Sequence, residues 1–289
     1  MKQFTTVASL QQAVEAARKD NKSIGLVPTM GALHEGHLSL IHKAKSMCDV
    51  VVVSVFVNPI QFNNKEDLEK YPRTIEADCK KLEEAKADFV FTPSVEEMYP
   101  TPVNTVYHFG PIEEVMEGPR RPGHFSGVAV VVRRLFEMVQ PDKAFFGEKD
   151  FQQIAIIRDL LRQMNSSIEL VPCPIVRAKD GLAMSSRNMR LSPAARAIAP
   201  TIYATLQKAV EKSQSETVTS VRQWALNELT SFHETHPQPN NLKFEPEYFE
   251  IVNDTTLQPV NDWNDAKGIV GCITVWIDGV RLIDMIRFR

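Results

Sequence analysis

Two histidines three residues apart bracket a glycine in the run His34-Glu35-Gly36-His37. An imidazole can donate a hydrogen bond to a phosphate oxygen, and the glycine lets a phosphate approach the main chain closely. Two histidines that only cap a helix are the plain alternative, and zinc fits this HxGH pattern less well. Histidines that ligate zinc from one helical face stand four residues apart with a glutamate after the first, and here the second histidine comes one residue early. Further along, Met184-Ser185-Ser186-Arg187-Asn188 sets two hydroxyls beside a guanidinium. That set is rich in donors and lacks an acceptor charge, which suits a triphosphate; a mobile linker is the plain alternative. Gly147-Glu148-Lys149-Asp150 places an ammonium at a turn, where it can reach a nucleotide phosphate or rest in a solvated charge pair. Gln153 follows Lys149 by one helical turn. Gln61, in Asn58-Pro59-Ile60-Gln61-Phe62, is a candidate ligand contact or a loop glutamine in water. His124 reads as structural, and Arg121 stays open as an anion contact.

Periodicity shows which elements must carry these groups. Ser23 to Thr29 is a short apolar run that reads as a buried strand, and from Gly36 the spacing turns helical, with Leu38, Ile41 and Ala44 on one face. A strand, a glycine-rich turn and a helix aim unpaired backbone N–H groups and a positive dipole end at one point, where His34 and His37 stand. Asp49 to Asn58 reads as a parallel strand buried on both faces, which puts Gln61 at its carboxyl end, the edge where open α/β sheets contact ligands. Val7–Lys19 reads as a helix, Glu66–Lys86 as a charge-rich helical stretch, Asp88–Phe91 as a strand and Val128–Val139 as a buried helix. Lys143–Phe146 (strand), Phe151–Met164 (helix) and Ile168–Val176 (strand) continue the alternation, which predicts an α/β fold. From Ser192 the composition shifts. A long helix pattern runs through Gln214 and another from Val218 to Phe232, followed by a Pro- and Asn-rich link at His236–Asn241. Strand-like Tyr248–Val252 and Ile269–Arg281 close the chain, with a hairpin turn at Ile277-Asp278-Gly279-Val280.

At 289 residues the length suits two domains. The expected division is 1–184 and a smaller α+β domain over 185–289. A composition 43% hydrophobic and 24% charged is that of a soluble globular protein, and a net charge of −3 gives no general attraction to nucleic acid or an anionic membrane. A small-molecule substrate is expected. The most apolar run, Val50–Val57, is too short to span a bilayer, and the first twenty residues carry no secretory pattern. Cys48, Cys79, Cys173 and Cys272 have no paired spacing, which suits a reducing cytoplasm.

Six stretches, in order, carry a family resemblance: PTMGALHEGHLSLI (Pro28–Ile41), FVNPIQF (Phe56–Phe62), YPRT (Tyr71–Thr74), RPGHFSGV (Arg121–Val128), FGEKDFQQ (Phe146–Gln153) and SSRN (Ser185–Asn188). The chain resembles the nucleotidylyltransferase and class I aminoacyl-tRNA-synthetase superfamily and, within it, the pantothenate synthetase (pantoate–β-alanine ligase) family. The resemblance implies a Rossmann-like parallel sheet with helices on both faces, a small C-terminal lid, and a cytoplasmic homodimer that binds neither nucleic acid nor membrane. It implies ATP-dependent condensation of pantoate with β-alanine to give pantothenate, AMP and pyrophosphate through a pantoyl adenylate, with Mg²⁺ accompanying ATP on ligands the sequence does not identify. Carried over residue by residue, Met30, Gly31, Ala32, Leu33, His34, Glu35, Gly36 and His37 line ATP, together with Gly147, Glu148, Lys149, Asp150, Val176, Met184, Ser185, Ser186 and Arg187. His37 is the implied proton donor, and His34, Lys149, Ser185, Ser186 and Arg187 face the charge that builds on the phosphoryl oxygens. Gln61 would contact pantoate and β-alanine, and Gln153 pantoate. The family's RLID segment is present as Arg281–Asp284, but Met285 stands where asparagine is expected. A nucleotidyltransferase that keeps AMP or CMP in its product, or a non-catalytic nucleotide-binding regulator, would share the fold; the intact donor set speaks against the regulator.

Overall fold

Apolar, β-branched runs build a six-stranded sheet in which all neighbouring strands are parallel. The computed structural model describes residues 1–232 and 242–289, so the link expected at 236–241 lies outside the described residues. The strands are β1 (Lys2–Phe4), β2 (Ile24–Thr29), β3 (Val50–Val55), β4 (Phe89–Phe91), β5 (Lys143–Gly147) and β6 (Glu169–Cys173), in the order β1-β4-β3-β2-β5-β6. Helices alternate with them: α1 (Val7–Lys19), α2 (Glu35–Lys45), α3 (Lys65–Glu69), α4 (Ile75–Glu84), α5 (Val95–Met98), α6 (Glu117–Arg120), α7 (His124–Val139) and α8 (Phe151–Gln163). Val51, Val52 and Val53 of β3 are fully buried, as a strand covered on both faces requires. The strand order reverses between β2 and β5. In a doubly wound sheet the crevice outside the carboxyl ends of two such strands is the usual ligand position, and these ends lead into Met30–His37 and Gly147–Glu148.

Prolines account for two departures from the expected elements. The stretch Glu66–Lys86 is two helices, α3 and α4, separated at Tyr71-Pro72-Arg73-Thr74, because a proline lacks its N–H and drives the preceding residue out of the helical region. The long pattern from Ser192 to Gln214 is split at Pro200 into α9 (Pro193–Ile198) and α10 (Thr201–Lys212); here only the missing N–H acts, since Ala199 keeps helical angles of φ −54° and ψ −33°. Ile269–Arg281 proves to be a hairpin, β8 (Ile269–Ile277) and β9 (Val280–Arg287), turning at Asp278 and Gly279. Their φ values of +50° and +77° match the paired left-handed residues of a tight hairpin turn.

With β7 (Phe244–Asn253), that hairpin forms a three-stranded antiparallel sheet in the order β7-β8-β9. Its apolar side shares one buried cluster with α10 and α11 (Val218–Thr230), including Leu206, Val221, Leu229, Phe249, Ile273 and Ile277. The chain divides into two compact units. The first is Met1–Phe109, Arg120–Glu148 and Gln153–Pro174; the second is Gly110–Pro119, Lys149–Gln152 and Ile175–Arg289. The passage at Pro174–Ile175 stands ahead of the expected 184/185 boundary.

Candidate functional site

In the first unit, the turn between β2 and α2 is held from several sides. Gly31 and Ala32 are both left-handed, at φ +82° and +49°. The Thr29 hydroxyl accepts from the Gly31 N–H at 3.2 Å, and the Asp78 carboxylate accepts from Ala32 at 2.9 Å and Leu33 at 2.7 Å. His34 is the N-cap of α2, its Nδ1 accepting from the Gly36 N–H at 3.1 Å, while the His34 N–H donates to His37 Nδ1 at 3.3 Å. The His37 N–H donates to His34 O at 2.8 Å. This corrects the expectation of unpaired main-chain donors: the amides of residues 31–34, 36 and 37 are all spent inside the turn. What the pattern provides instead is ring chemistry. A ring nitrogen that accepts carries no proton, so each neutral imidazole is driven to the tautomer with its proton on Nε2. The rings lie 4.1 Å apart between centroids, which brings two such donors side by side.

Gln61 ends a 3-10 turn, Pro59–Gln61, just beyond β3. Its Nε2 donates to Met30 Sδ at 3.1 Å and its Oε1 accepts from Asn58 Nδ2 at 3.1 Å, so the HxGH approach and the glutamine are directly joined. Asn58 is buried to 1% exposure; its Nδ2 also donates to Gly127 O, and its Oδ1 accepts from the Tyr99 hydroxyl at 2.8 Å. Burial raises the Tyr99 pKa, with Arg134 pulling weakly the other way, which keeps that hydroxyl a donor. The RPGHFSGV stretch grips the same residue by its backbone. His124, buried as expected of a structural histidine, meets the Gln61 carbonyl through Nδ1 at 2.8 Å, and its Nε2 lies 2.9 Å from Arg121 Nη1. A methyl group at Gly127 would stand 2.7 Å from both the Gln61 Cα and the Ile60 carbonyl oxygen. Gln153, half-buried on α8, belongs to this unit, as do Gly147 and Glu148.

Lys149, Asp150, Val176 and Met184–Arg187 belong to the second unit. Lys149 lies 3.8 Å from Asp150 as an ion pair. Met184 N–H donates to Val176 O at 2.9 Å, and Ser185 caps a 3-10 turn over Ser186–Arg190, its hydroxyl accepting from Arg187 N–H. In the same unit Arg177 makes a bidentate pair with Asp284 at 2.6 and 2.9 Å and stacks on the Tyr203 ring at 3.6 Å. Burial pushes the Asp284 carboxyl above its ordinary range against the pull of Arg177. Met285 joins the arrangement through its main chain alone: its N–H donates to Asp284 and its carbonyl accepts from Arg177. The departure from the expected asparagine therefore costs this anchor nothing.

Asp78, Asn58, Tyr99, Arg177 and Asp284 are supports that sequence reasoning missed. Asn58 stood inside a quoted motif beside Gln61, which was the available signal; Asp78 sits in an ordinary charged stretch and had none. Among the described residues, no group of three or more His, Cys, Asp or Glu side chains is arranged to hold a metal ion, and no helix is long and apolar enough to cross a membrane.

The profile of the family described as pantoate-beta-alanine ligase matches residues 2–287. The chain is 53% identical over 289 residues to the pantothenate synthetase of Porphyromonas gingivalis strain W83, covering 100% of both. It is 51% identical to that of Bacteroides thetaiotaomicron, covering 100% of this chain and 99% of that one. Among solved structures, the pantothenate synthetase of Thermus thermophilus matches with a TM-score of 0.90 at 41% identity, over 100% of this chain and 99% of that one. The pantoate-beta-alanine ligase of Francisella tularensis, solved with beta-gamma ATP and beta-alanine, matches with a TM-score of 0.81 at 32% identity, over 100% and 98%.

Proposed function

Because the chain belongs to the pantoate-beta-alanine ligase family, we propose that it condenses pantoate with β-alanine at the expense of ATP, through a pantoyl adenylate. The pantoate carboxylate attacks the α-phosphorus, the α–β phosphoanhydride bond breaks, and pyrophosphate leaves. The β-alanine amine then attacks the acyl carbon, AMP departs with the oxygen that had joined it, and the nitrogen loses its proton to solvent. The observation that carries this chemistry is the His34–His37 pair, whose Nδ1 atoms both accept within the turn. Two Nε2–H donors are thereby preorganised for the charge that develops on the phosphoryl oxygens, the kind of fixed dipole that lowers a barrier without reorganising. His37 is the proposed proton donor, and Lys149, Ser185, Ser186 and Arg187 the further donors to the phosphates.

Gln61 and Gln153 are proposed to orient pantoate. An amide donates to a carboxylate oxygen and accepts from a hydroxyl, and a hydroxy acid offers both. Mg²⁺ is proposed to arrive on the ATP phosphates: the described residues form no protein cage for it, and Mg²⁺ commonly binds through phosphate oxygens and retained waters. It would neutralise phosphate charge. A cytoplasmic homodimer is the accompanying reading, supported by the family resemblance.

The test is exchange of labelled pyrophosphate into ATP. Pantoate alone should support it and β-alanine alone should not, and with all three substrates AMP should appear in step with the amide. A stable adenylylated product in place of AMP would refute the reading.

A further inference from the structure

The YPRT stretch and the charged helix after it have no part in the chemistry so far, yet they touch the histidine turn at its most constrained point. We infer that Asp78 of α4 is a positioning residue for adenylation: it locks the turn Gly31-Ala32-Leu33 so that the His34 and His37 rings present Nε2–H to the reacting phosphoryl group. This rests on the reading of the two histidines given above.

Four observations carry it. The turn is costly by itself, since Ala32 keeps a left-handed backbone at φ +49° despite its Cβ. Such a residue is strained and persists only where its surroundings over-determine it. Second, Asp78 is 1% exposed, and its two carboxylate oxygens are divided between consecutive amides, Oδ2 to Ala32 and Oδ1 to Leu33. Third, Lys81, one helical turn on, donates from Nζ to the Leu33 carbonyl at 2.5 Å. Helix α4 thus grips Leu33 by both its N–H and its C=O, fixing the peptide that leads into His34. Fourth, Thr74 occupies the N-cap position of α4 but makes no side-chain cap; its hydroxyl donates to Asp78 Oδ2 at 3.1 Å instead. The last residue of YPRT is diverted from capping its own helix to hold the carboxylate.

The carboxylate form is needed because only it accepts at both oxygens. In Asp78→Asn one position becomes an NH₂ facing an amide N–H, and one of the two amides loses its acceptor. The turn then relaxes and the rings move with it. A displacement of about 1 Å in a reacting group can cost about a hundredfold in rate.

Three measurements on the full chain test this. Asp78→Asn should lower the rate of pantoate-dependent pyrophosphate exchange at saturating ATP by about ten- to hundredfold while the KM for ATP changes less than about threefold. Long-range ¹H–¹⁵N spectra of the substrate-free protein should show both rings as Nε2–H tautomers, with this signature altered in Asp78→Asn. Thr74→Ala should give a smaller rate loss that Thr74→Ser restores, and this pair decides the matter if Asp78→Asn does not fold. The inference is overturned if folded Asp78→Asn exchanges within threefold of the parent, if the ring signature is unchanged, or if Thr74→Ser is no better than Thr74→Ala. If the parent itself shows no exchange, the assignment of function fails, and the ring spectra still read the positioning.

Discussion

The Arg177–Asp284 pair offers a sharp test of what stabilises the second unit. Asp284→Asn removes the charge and one of two short acceptors from a guanidinium whose side chain is only 17% exposed, its partner being 3% exposed. Breaking a buried pair from one side costs about 3–5 kcal/mol, chiefly because the remaining charge is left desolvated. Arg177 would keep the Gly181 and Met285 carbonyls, at 3.2 and 3.3 Å, and the face of Tyr203. Those contacts place the loss near the lower limit, about 3 kcal/mol, or a fall of roughly 6–12 °C in melting temperature. The double variant Arg177→Met/Asp284→Leu should recover most of the loss, since it removes both desolvated groups and fills the space with apolar volume. The assay is urea unfolding followed by circular dichroism, fitted with separate transitions for the two units if the curves require it. A loss below about 1 kcal/mol for Asp284→Asn, or a double variant as unstable as the sum of its singles, would refute the argument.

Gly127→Ala should push the Gln61 backbone aside, because the new methyl would meet two main-chain atoms at 2.7 Å. Steady-state kinetics should show the pantoate KM raised about tenfold or more, with the ATP KM within about twofold. Cys48, Cys173 and Cys272 are buried, and burial lifts their pKa values, to about 11 for Cys173 and about 12 for Cys272. Burial lifts Cys79 as well, but that thiol is half-buried, so mass spectrometry after brief iodoacetamide treatment of the native chain at pH 8 should find label first on Cys79, and on all four cysteines only after unfolding. Asp49, held by Ser23 through side-chain and backbone hydrogen bonds, and Asp180, held by Arg196, both lie below the ordinary carboxylate value of 3.8. A depressed carboxylate stabilises the fold above its unfolded pKa and loses that contribution as pH falls through the folded one. Urea midpoints should accordingly be level near neutrality and decline below about pH 4, and Asp49→Asn should flatten that decline.

Periodicity revealed most of the elements because it reports burial of a face. The α1 helix, the buried β3 run and the Asp278-Gly279 hairpin each signal themselves within a dozen neighbouring residues. Strand β1 did not, since three residues carry no period. Pro72 and Pro200 break the expected helices, and apolar spacing alone does not register a missing N–H. At the site the motifs identified which residues to examine, while their hydrogen bonding came from elsewhere in the chain. The amides around His34 looked open from sequence; those of Gly31, His34, Gly36 and His37 are taken by near neighbours, whereas those of Ala32 and Leu33 are taken by Asp78, 46 residues beyond Ala32. The state of Gln61 likewise depends on Gly127 and Asn58 together. No local pattern encodes such pairings.

The Glu117 carboxylate implies an order of events during synthesis. It is 7% exposed, and its acceptor oxygens serve the hydroxyls of Tyr248 and Thr274 and the guanidinium of Arg281, which follow it by 131, 157 and 164 residues. A ribosome adding about 5–20 residues per second delivers Arg281 roughly 8–30 seconds after Glu117. Within that interval Tyr248 and then Thr274 are made first, and the Arg281 guanidinium comes last of the three. Completion of the second unit therefore waits for the last strand to leave the exit tunnel, and a message truncated shortly before β9 would yield a chain lacking the Arg281 guanidinium that pairs with Glu117.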